Sequence, residues 1–544
     1  MKKLLSVLIV ISLFCFTLTC RATETSKLVT GPSFNSALYS YSVATELSLT
    51  QSKVPYIIFG RYDDYKDNLD TNWDDTTNVS VSQDDTTKLI KGTYNDEDAI
   101  YVLTNKDTIV FNEDSSTMFY LSLLNKTKEI LFNNIDTSNV TNMSEMFHGL
   151  TNLVSLDLSG FDTSNVTNMH WMFNGCNSLT ELDLSNFNTS KVTRMEYMFD
   201  AMYNLNSLDI SSFDTSKVEN FQGMFSNCKS LTSLDLSSFN TTSAVDSETN
   251  SSMWGMFSGC ESLTSLDISS FDTSNVINMA SMFNGCESLT SLDISNFNTS
   301  KVENMNSMFD GCKSLTSLDL HNFDTSNVLY TKWMFQNNTK LKSIYVSENG
   351  FKTTNITTAN SLNMFKDATS LVGGKGTVYD SSKTNKEYAI IDDAPEHPGY
   401  FTLYVPRRVS FVPNNGTTID DVIVPDGDVV ELPNVTKEEY VLGYWSEDIE
   451  FESIFGNDTP VTKDLTLYAR WYLQYDWNDD KDFGVEDIVL YRKYLAGSDA
   501  DVINYYNGLD IYRKRALNYD DDIEVSILDL VQARVTLASK NINQ

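Results

Sequence analysis

Apolar residues recur in the middle of this chain with a period too long for one helix or strand. From Ile135 to Phe365 a Met-Phe pair returns at Met146, Met172, Met198, Met224, Met256, Met282, Met308, Met334 and Met364. Most steps are 26 residues, and two are longer, 32 at Met224→Met256 and 30 at Met334→Met364. A fixed period of this size predicts a solenoid, whose units bury their apolar faces only against one another. In the unit SLTELDLSNF the alternation Leu182-Asp183-Leu184 predicts a short strand, with the leucines to one face and Asp183 to the other. The second half, Val166, Met169, Met172, Phe173 and Cys176, is spaced mostly by three and four, which predicts a short helix or helical turn. Ser164 is the expected N-cap. Gly175 stands where that helix should stop, and Gly149, Asn227, Gly259, Gly285, Gly311 and Asn337 are its equivalents. Ala201 and Asp367 fill the same position less well. Each unit thus reads as strand, turn, helical turn and return, stacked so that the strands form a parallel sheet.

One strand position holds Asp157, Asp183, Asp209, Asp235, Asp267, Asp293 and Asp319. Neighbouring strands lie about 4.8 Å apart, so these carboxylates form a row on the exposed face. In water each adjacent pair repels by about 1 kcal/mol. Burial of each large apolar side chain, at ~1.5–3 kcal/mol, outweighs that. The row is therefore tolerable without a ligand. It is either a solvated face that keeps the sheet soluble or a docking face for a cationic partner. No His or Lys recurs beside it, so its members are not catalytic candidates.

The strand half resembles the leucine-rich repeat LxxLxLxxN, departing at the Asn position, where Phe161, Phe187, Phe213, Phe239, Phe271, Phe297 and Phe323 stand. The whole unit, FDTSNVxNMxxMFxxC, resembles the BspA-like bacterial surface repeats, from about Asn112 to Tyr400. From Arg408 the pattern changes to alternating strands with a turn at Asn414-Asn415-Gly416 and an ending Leu467-Tyr468-Ala469-Arg470-Trp471. This resembles the Listeria–Bacteroides repeat, a small β-grasp-like module. Leu442-Gly443-Tyr444-Trp445 stands where that family has Phe-x-Gly-Trp. By resemblance it is a spacer or adhesive module.

The candidate chemistry lies at the end. Asp476, Asn478, Asp480, Asp482 and Asp487 fall at positions 1, 3, 5, 7 and 12 of a loop, followed by a helical pattern at Ile488, Tyr491 and Leu495. Asn518, Asp520, Asp522, Glu524, Ser526 and Asp529 take positions 1, 3, 5, 7, 9 and 12 of a second. Calcium is a hard cation that takes several oxygen ligands from one short loop, and this spacing supplies them, with position 7 giving a backbone carbonyl. The alternative is a pair of solvated acidic loops. Two such loops, each followed by a helix and ending in Asp, resemble a type I dockerin, which implies a cohesin partner on a scaffoldin. Lys481 and Ile523 replace the position-6 glycine, Asn518 replaces Asp at position 1, and the copies lie 42 residues apart. In that family partner selectivity is tied to positions 10 and 11, here Val485-Glu486 and Ile527-Leu528.

The expected architecture is therefore multidomain: a leucine-rich-repeat solenoid, a small β-grasp-like module and an α-helical calcium-loop module of dockerin or EF-hand type. The expected boundaries are a signal peptide at 1–22, a leader and solenoid cap at 23–111, the solenoid at 112–404, the Listeria–Bacteroides-type repeat at 405–472 and the dockerin-like module at 473–544. The opening MKKLLSVLIVISLFCFTLTCRA reads as a secretory signal cut after Ala22. A lipoprotein signal at Cys20 is the minor alternative. The formal net charge is −35 and becomes more negative once Lys2, Lys3 and Arg21 leave. Such a surface repels nucleic acid and anionic membranes. Cys176, Cys228, Cys260, Cys286 and Cys312 share one repeat position, filled elsewhere by Leu150, Met202, Asn338 and Ala368. That predicts buried thiols, with a disulfide between neighbouring rungs as the alternative. The histidines, His148, His170, His321 and His397, occupy unrelated repeat positions, and no nucleophile or zinc motif accompanies them. The expectation is a secreted, non-catalytic surface protein: its solenoid binds a protein or host ligand, and its C-terminal module docks to a cohesin-bearing scaffold. The alternatives are a structural spacer in a surface assembly and a cellulosome-associated component of polysaccharide degradation.

Overall fold

The computed structural model describes residues 24–44, 55–120, 126–246, 251–509, 511–517 and 525–542. The expected signal peptide, 1–22, lies outside the described residues. The chain divides into two compact units, Met1–Leu403 and Tyr404–Gln544.

The first unit begins with a cap. Helix α1 (Gly31–Ala44) buries Phe34, Leu38 and Tyr41, three residues on one helical face. It packs on a sheet ordered β3-β4-β5-β2-β7-β9. Here β2 is Tyr56–Arg61, β3 Val79–Ser80, β4 Thr87–Tyr94, β5 Glu97–Thr104, β7 Glu129–Phe132 and β9 Ser155–Leu156. Strand β2 runs parallel to β5 on one side and β7 on the other, so the cap's sheet continues directly into the first rungs. A second small parallel sheet joins β1 (Thr25–Lys27), β6 (Thr108–Val110) and β8 (Ile135–Asp136). One apolar core runs unbroken from Leu28 to Phe401.

The rungs depart from the expected helical turns. Within 126–403 the described residues hold only two one-turn 3₁₀ helices, Thr358–Ser361 and Lys386–Tyr388. In the second half of a rung, alternate N–H groups leave for the next rung. Met143, Glu145, Phe147 and Gly149 donate to the carbonyls of Asn168, His170, Met172 and Asn174. Between them, Met146, His148 and Leu150 donate back three residues inside the rung. The cause is a pair of left-handed residues per rung. Gly149, Gly175, Ala201, Asn227, Gly259, Gly285, Gly311, Asn337 and Asp367 form one such column. Glu145, Trp171, Tyr197, Gly223, Gly255, Ser281, Ser307, Trp333 and Asn363 form the other. A left-handed residue every few positions breaks an α-helix but keeps the three-and-four spacing of the buried Met and Phe. Ser164 caps no helix; its N–H donates to the carboxylate of Asp162, closing an Asx turn.

Strand pairing is regular only at the ends. Strands β10 (Ser317–Asp319), β11 (Ser343–Val346) and β12 (Phe401–Leu403) form a parallel sheet at the far end. Between Leu156 and Ser317 the leucine segments are extended but joined by scattered bonds, such as Asn206 N–H to the Thr180 carbonyl and the Asp235–Asp267 bridge. The rungs are held elsewhere. Phe119, Phe147, Phe173, Phe199, Phe225, Phe257, Phe283, Phe309, Phe335 and Phe365 stack face to face, 5.4–5.9 Å between successive centroids. A buried threonine column runs alongside. The Thr137 hydroxyl donates to the Asp162 carbonyl and accepts from the Asp162 N–H. Thr163, Thr189, Thr215, Thr241, Thr273, Thr299 and Thr325 repeat both bonds. The five cysteines among the described residues, Cys176, Cys228, Cys260, Cys286 and Cys312, are buried free thiols. Each donates to the carbonyl of a phenylalanine one rung earlier, Cys176 to Phe147 at 3.2 Å for example. Phe34 and Phe59 cover the stack at Phe119, and Tyr400 and Phe401 cover it at Phe365.

Where six extra residues enter the long repeat, Asp246 repairs the rung ladder. Its carboxylate accepts the N–H groups of Ile277 and Asn278, which in other rungs bond a main-chain carbonyl.

The second unit opens with a four-stranded sheet, β14-β13-β16-β15. These are β13 (Pro406–Val412), β14 (Val422–Pro425), β15 (Tyr440–Ser446) and β16 (Leu465–Leu473). The central pair, β13 and β16, runs parallel, as in a β-grasp core. Four helices follow: α2 (Val485–Leu495), α3 (Ala500–Gly508), α4 (Ile511–Ala516) and α5 (Ile527–Ile542). Leu473 and Tyr440, at the end of the sheet, pack into the helical core with Trp477, Tyr491 and Tyr506.

Candidate functional site

The first acidic loop links β16 to α2. Its two terminal carboxylates are buried, Asp476 and Asp487 each 1 % exposed, while Asn478, Asp480 and Asp482 face solvent. The loop folds by chained Asx turns. Asn478 Oδ1 accepts the Asp480 N–H at 3.1 Å, and Asp480 Oδ1 accepts the Asp482 N–H at 2.9 Å. Asp487 turns back on the loop. Its Oδ1 accepts the N–H of Trp477 at 2.7 Å and of Asn478 at 3.3 Å, and its Oδ2 accepts that of Gly484 at 2.7 Å. Tyr475, Asp479 and Lys481 are left-handed, so Lys481 takes a backbone bend that glycine usually serves in EF-hand-type loops.

Asp476 Oδ2 accepts the Lys481 N–H, whereas the buried Oδ1 has no hydrogen-bond partner. Burial pushes the Asp476 carboxyl up, and the Arg513 guanidinium opposes that shift. A buried carboxylate oxygen without a hydrogen-bond partner, in a loop that carries three further oxygen-bearing side chains, suits a hard cation. Asp476, Asn478, Asp480 and Asp487, with the Asp482 carbonyl, would hold it. The loop carboxylates are not gathered tightly. Among the described residues, the group of three carboxylate or imidazole ligand atoms within 4.8 Å of one another is instead Asp393, Glu396 and His397, all exposed.

Of the second loop, Asn518, Asp520, Asp522 and Glu524 lie outside the described residues. Ser526 and Asp529 are described: the buried Asp529 accepts from the Ser526 N–H and hydroxyl at the start of α5. Val485 and Glu486 are exposed on the first turn of α2, and Ile527 is exposed on the first turn of α5. The Leu528 side chain lies outside the described residues. Val485 continues to an exposed Val489, and Ile527 to exposed Val531 and Val535. Spacings of four place each set on one helical face.

The aspartate row faces outward, exposed from Asp157 to Asp293 and half-exposed at Asp319. Each carboxylate accepts the N–H two residues on, from Ser159, Ser185, Ser211, Ser237, Ser269, Ser295 and His321. The hydroxyl and the N–H of that serine together hold the carboxyls of Asp157 and Asp267, and its N–H and hydroxyl those of Asp183, Asp209 and Asp235, below their ordinary value. The recurrence of Asp thus has a local cause, the turn that ends each leucine segment. A depression of about 400 Å³ opens on this face over Val154, Leu156, Glu181, Asp183 and Asp209.

Residues 113–208, 154–250 and 251–379 match the family described as "Mycoplasma protein of unknown function, DUF285". Residues 408–470 match the Listeria-Bacteroides repeat domain. Both matches support a BspA-like bacterial surface-repeat protein. Neither is an enzyme family. No curated protein matches the chain. The solved structure titled "Crystal structure of TLR13-ssRNA13 complex" aligns at 18% identity over 49% of this chain and 46% of that one, less than half its length. Its TM-score of 0.19 is too low to bear on the fold. Among the described residues, no helix is long and apolar enough to cross a membrane.

Proposed function

We propose that this chain is a secreted, non-catalytic surface protein whose solenoid binds a protein or host-surface ligand. Its C-terminal helices dock it, with calcium, to a cohesin-bearing scaffold. The observation that carries the docking half is the pair of exposed apolar stripes, Val485 and Val489 on α2 and Ile527, Val531 and Val535 on α5. Each begins at position 10 of an acidic loop, beside Glu486 in the first copy and Leu528 in the second. Calcium bound by Asp476, Asn478, Asp480, Asp482 and Asp487, and by Asn518, Asp520, Asp522, Glu524, Ser526 and Asp529, would fix the angle at which those helices leave their loops. For the solenoid, the carboxylate face with its depression at Glu181, Asp183 and Asp209 suits a cationic partner. The spacer reading draws on the same row, since each carboxylate already closes its own turn.

The test is capture of the full chain on immobilised cohesins, with cell-wall glycan and host mucus as further surfaces, in calcium and in chelator. Val489→Asp and Val531→Asp should each weaken cohesin capture at least about tenfold, as expected for loss of central apolar anchors. Equal capture in chelator would sink the calcium-dependent reading. Absence of capture on every surface would leave the spacer.

A further inference from the structure

A short loop that carries several carboxylates repels itself until a cation arrives. In this chain a cation is already built in. Arg513 lies on α4, 37 residues beyond Asp476, and is 5 % exposed. Its Nη2 donates to the main-chain carbonyl of Asp476 at 2.6 Å. The same atom stands 3.7 Å from Asp476 Oδ2 and 3.1 Å from Asp479 Oδ1. The guanidinium also lies over the Tyr472 ring, 5.4 Å from its centroid, which fixes its plane from the β16 side. It therefore bridges sheet, loop and α4. It sits on the carbonyl and Oδ2 of Asp476, while Oδ1 is the oxygen with no hydrogen-bond partner.

We infer that Arg513 is an internal counter-ion of the first loop, holding the Asp476 end in binding shape when calcium is absent. Calcium and the guanidinium are then partly interchangeable in ordering residues 476–487. This rests on the reading of the loop as a calcium site. Arg513 is a positioning residue, and no ligand role is assigned to it. The reach of the guanidinium matters, because its Nη2 alone meets a carbonyl and two carboxylates. Lysine supplies the charge without that reach.

Hydrogen-exchange mass spectrometry on the full chain tests this, for wild type, Arg513→Met and Arg513→Lys, in excess calcium and in chelator. In chelator, peptides from 476–495 should exchange at least about tenfold faster in Arg513→Met than in wild type, with Arg513→Lys between them. In calcium the difference should shrink to about threefold or less, because bound metal restores the loop. Solenoid peptides from 161–199 should not change. Equal exchange of wild type and Arg513→Met in chelator overturns the inference. So does a difference of the same size in calcium, which is also what a merely misfolded variant would show. Calorimetric titration of the wild type keeps the two claims apart. No calcium binding there removes the calcium site, whereas calcium binding with no exchange difference in chelator removes only the role of Arg513.

Discussion

The solenoid and the first acidic loop use aspartate in the same local way and to opposite ends. In each rung one aspartate accepts the N–H two residues on, closes a turn and faces solvent, a full repeat from the next. In the loop the same turn is made at Asn478 and again at Asp480, and Asp476 and Asp487 are buried behind it. Repeated once per rung, the turn needs nothing further, because the Phe stack and the Thr column hold the rungs together. Chained within one loop, it concentrates oxygen and leaves Asp476 Oδ1 without a partner. Spacing, more than residue type, separates a structural carboxylate from a candidate ligand.

The largest effect belongs to the solenoid, whose stability should depend on its core alone. Phe225 stacks between Phe199 and Phe257 at 5.7 and 5.8 Å and is fully buried. Phe225→Ala should cost about 3–5 kcal/mol, the usual range for a buried aromatic. Urea unfolding followed by circular dichroism measures it, and the loss should be the same in calcium and in chelator.

The loop should behave in the opposite way. Asp487→Ala removes a buried carboxylate that accepts three N–H groups. It should cost about 1–3 kcal/mol in the second unit and abolish calcium binding at the first loop. Asp476→Ala should likewise abolish that binding. Calorimetric titration and chelator-dependent melting report both, and wild-type calcium heat retained in Asp487→Ala would place the cation elsewhere.

Smaller effects belong to the thiols. Burial pushes the Cys176 and Cys260 thiols up to about 12, so the folded protein should resist alkylation at neutral pH until it is denatured. Cys176→Ala should cost about 1 kcal/mol for the volume lost, with no change in oligomeric state. Rapid labelling of native protein, or a mass shift showing a Cys260–Cys286 bridge, would contradict the buried geometry.

The inward set of Leu, Met, Phe and Cys was legible because a fixed period repeats its chemistry many times. The glycines at Gly149, Gly175 and Gly259 likewise marked a left-handed column. The second left-handed column carries Glu145, Trp171 and Tyr197, residues with no such signal. Without it, spacing by three and four is common to a short helix or helical turn and to a chain of turns with left-handed residues, and the rungs take the latter. The Thr column was visible as a recurrence but not as a bond, since its partners lie 25 residues away in most rungs. In the second unit the loop spacing was local and therefore readable. Arg513 was not, because no sequence period ties an arginine on α4 to an aspartate 37 residues earlier.

The smallest effect belongs to the aspartate row. Asp157, Asp183, Asp209, Asp235 and Asp267 have carboxyls held below their ordinary value by the serine two residues on. A group whose folded pKa is depressed adds stability above its unfolded pKa and loses it as pH falls through the folded value. The acid limb of solenoid stability should therefore steepen below the ordinary Asp value of 3.8. Replacing all five by Asn should leave the melting temperature at pH 7 nearly unchanged. Asn188 and Asn298 already close the same kind of turn in a neighbouring column, each accepting the N–H of the serine two residues on. Below the ordinary Asp value the variant should lose less stability than wild type, because an amide does not titrate there. If the row is also a docking face, the same variant loses salt-sensitive capture of a cationic partner at neutral pH while its melting temperature holds. A large drop in stability at pH 7 would show instead that the carboxylate charge, and not the turn, is what each rung requires.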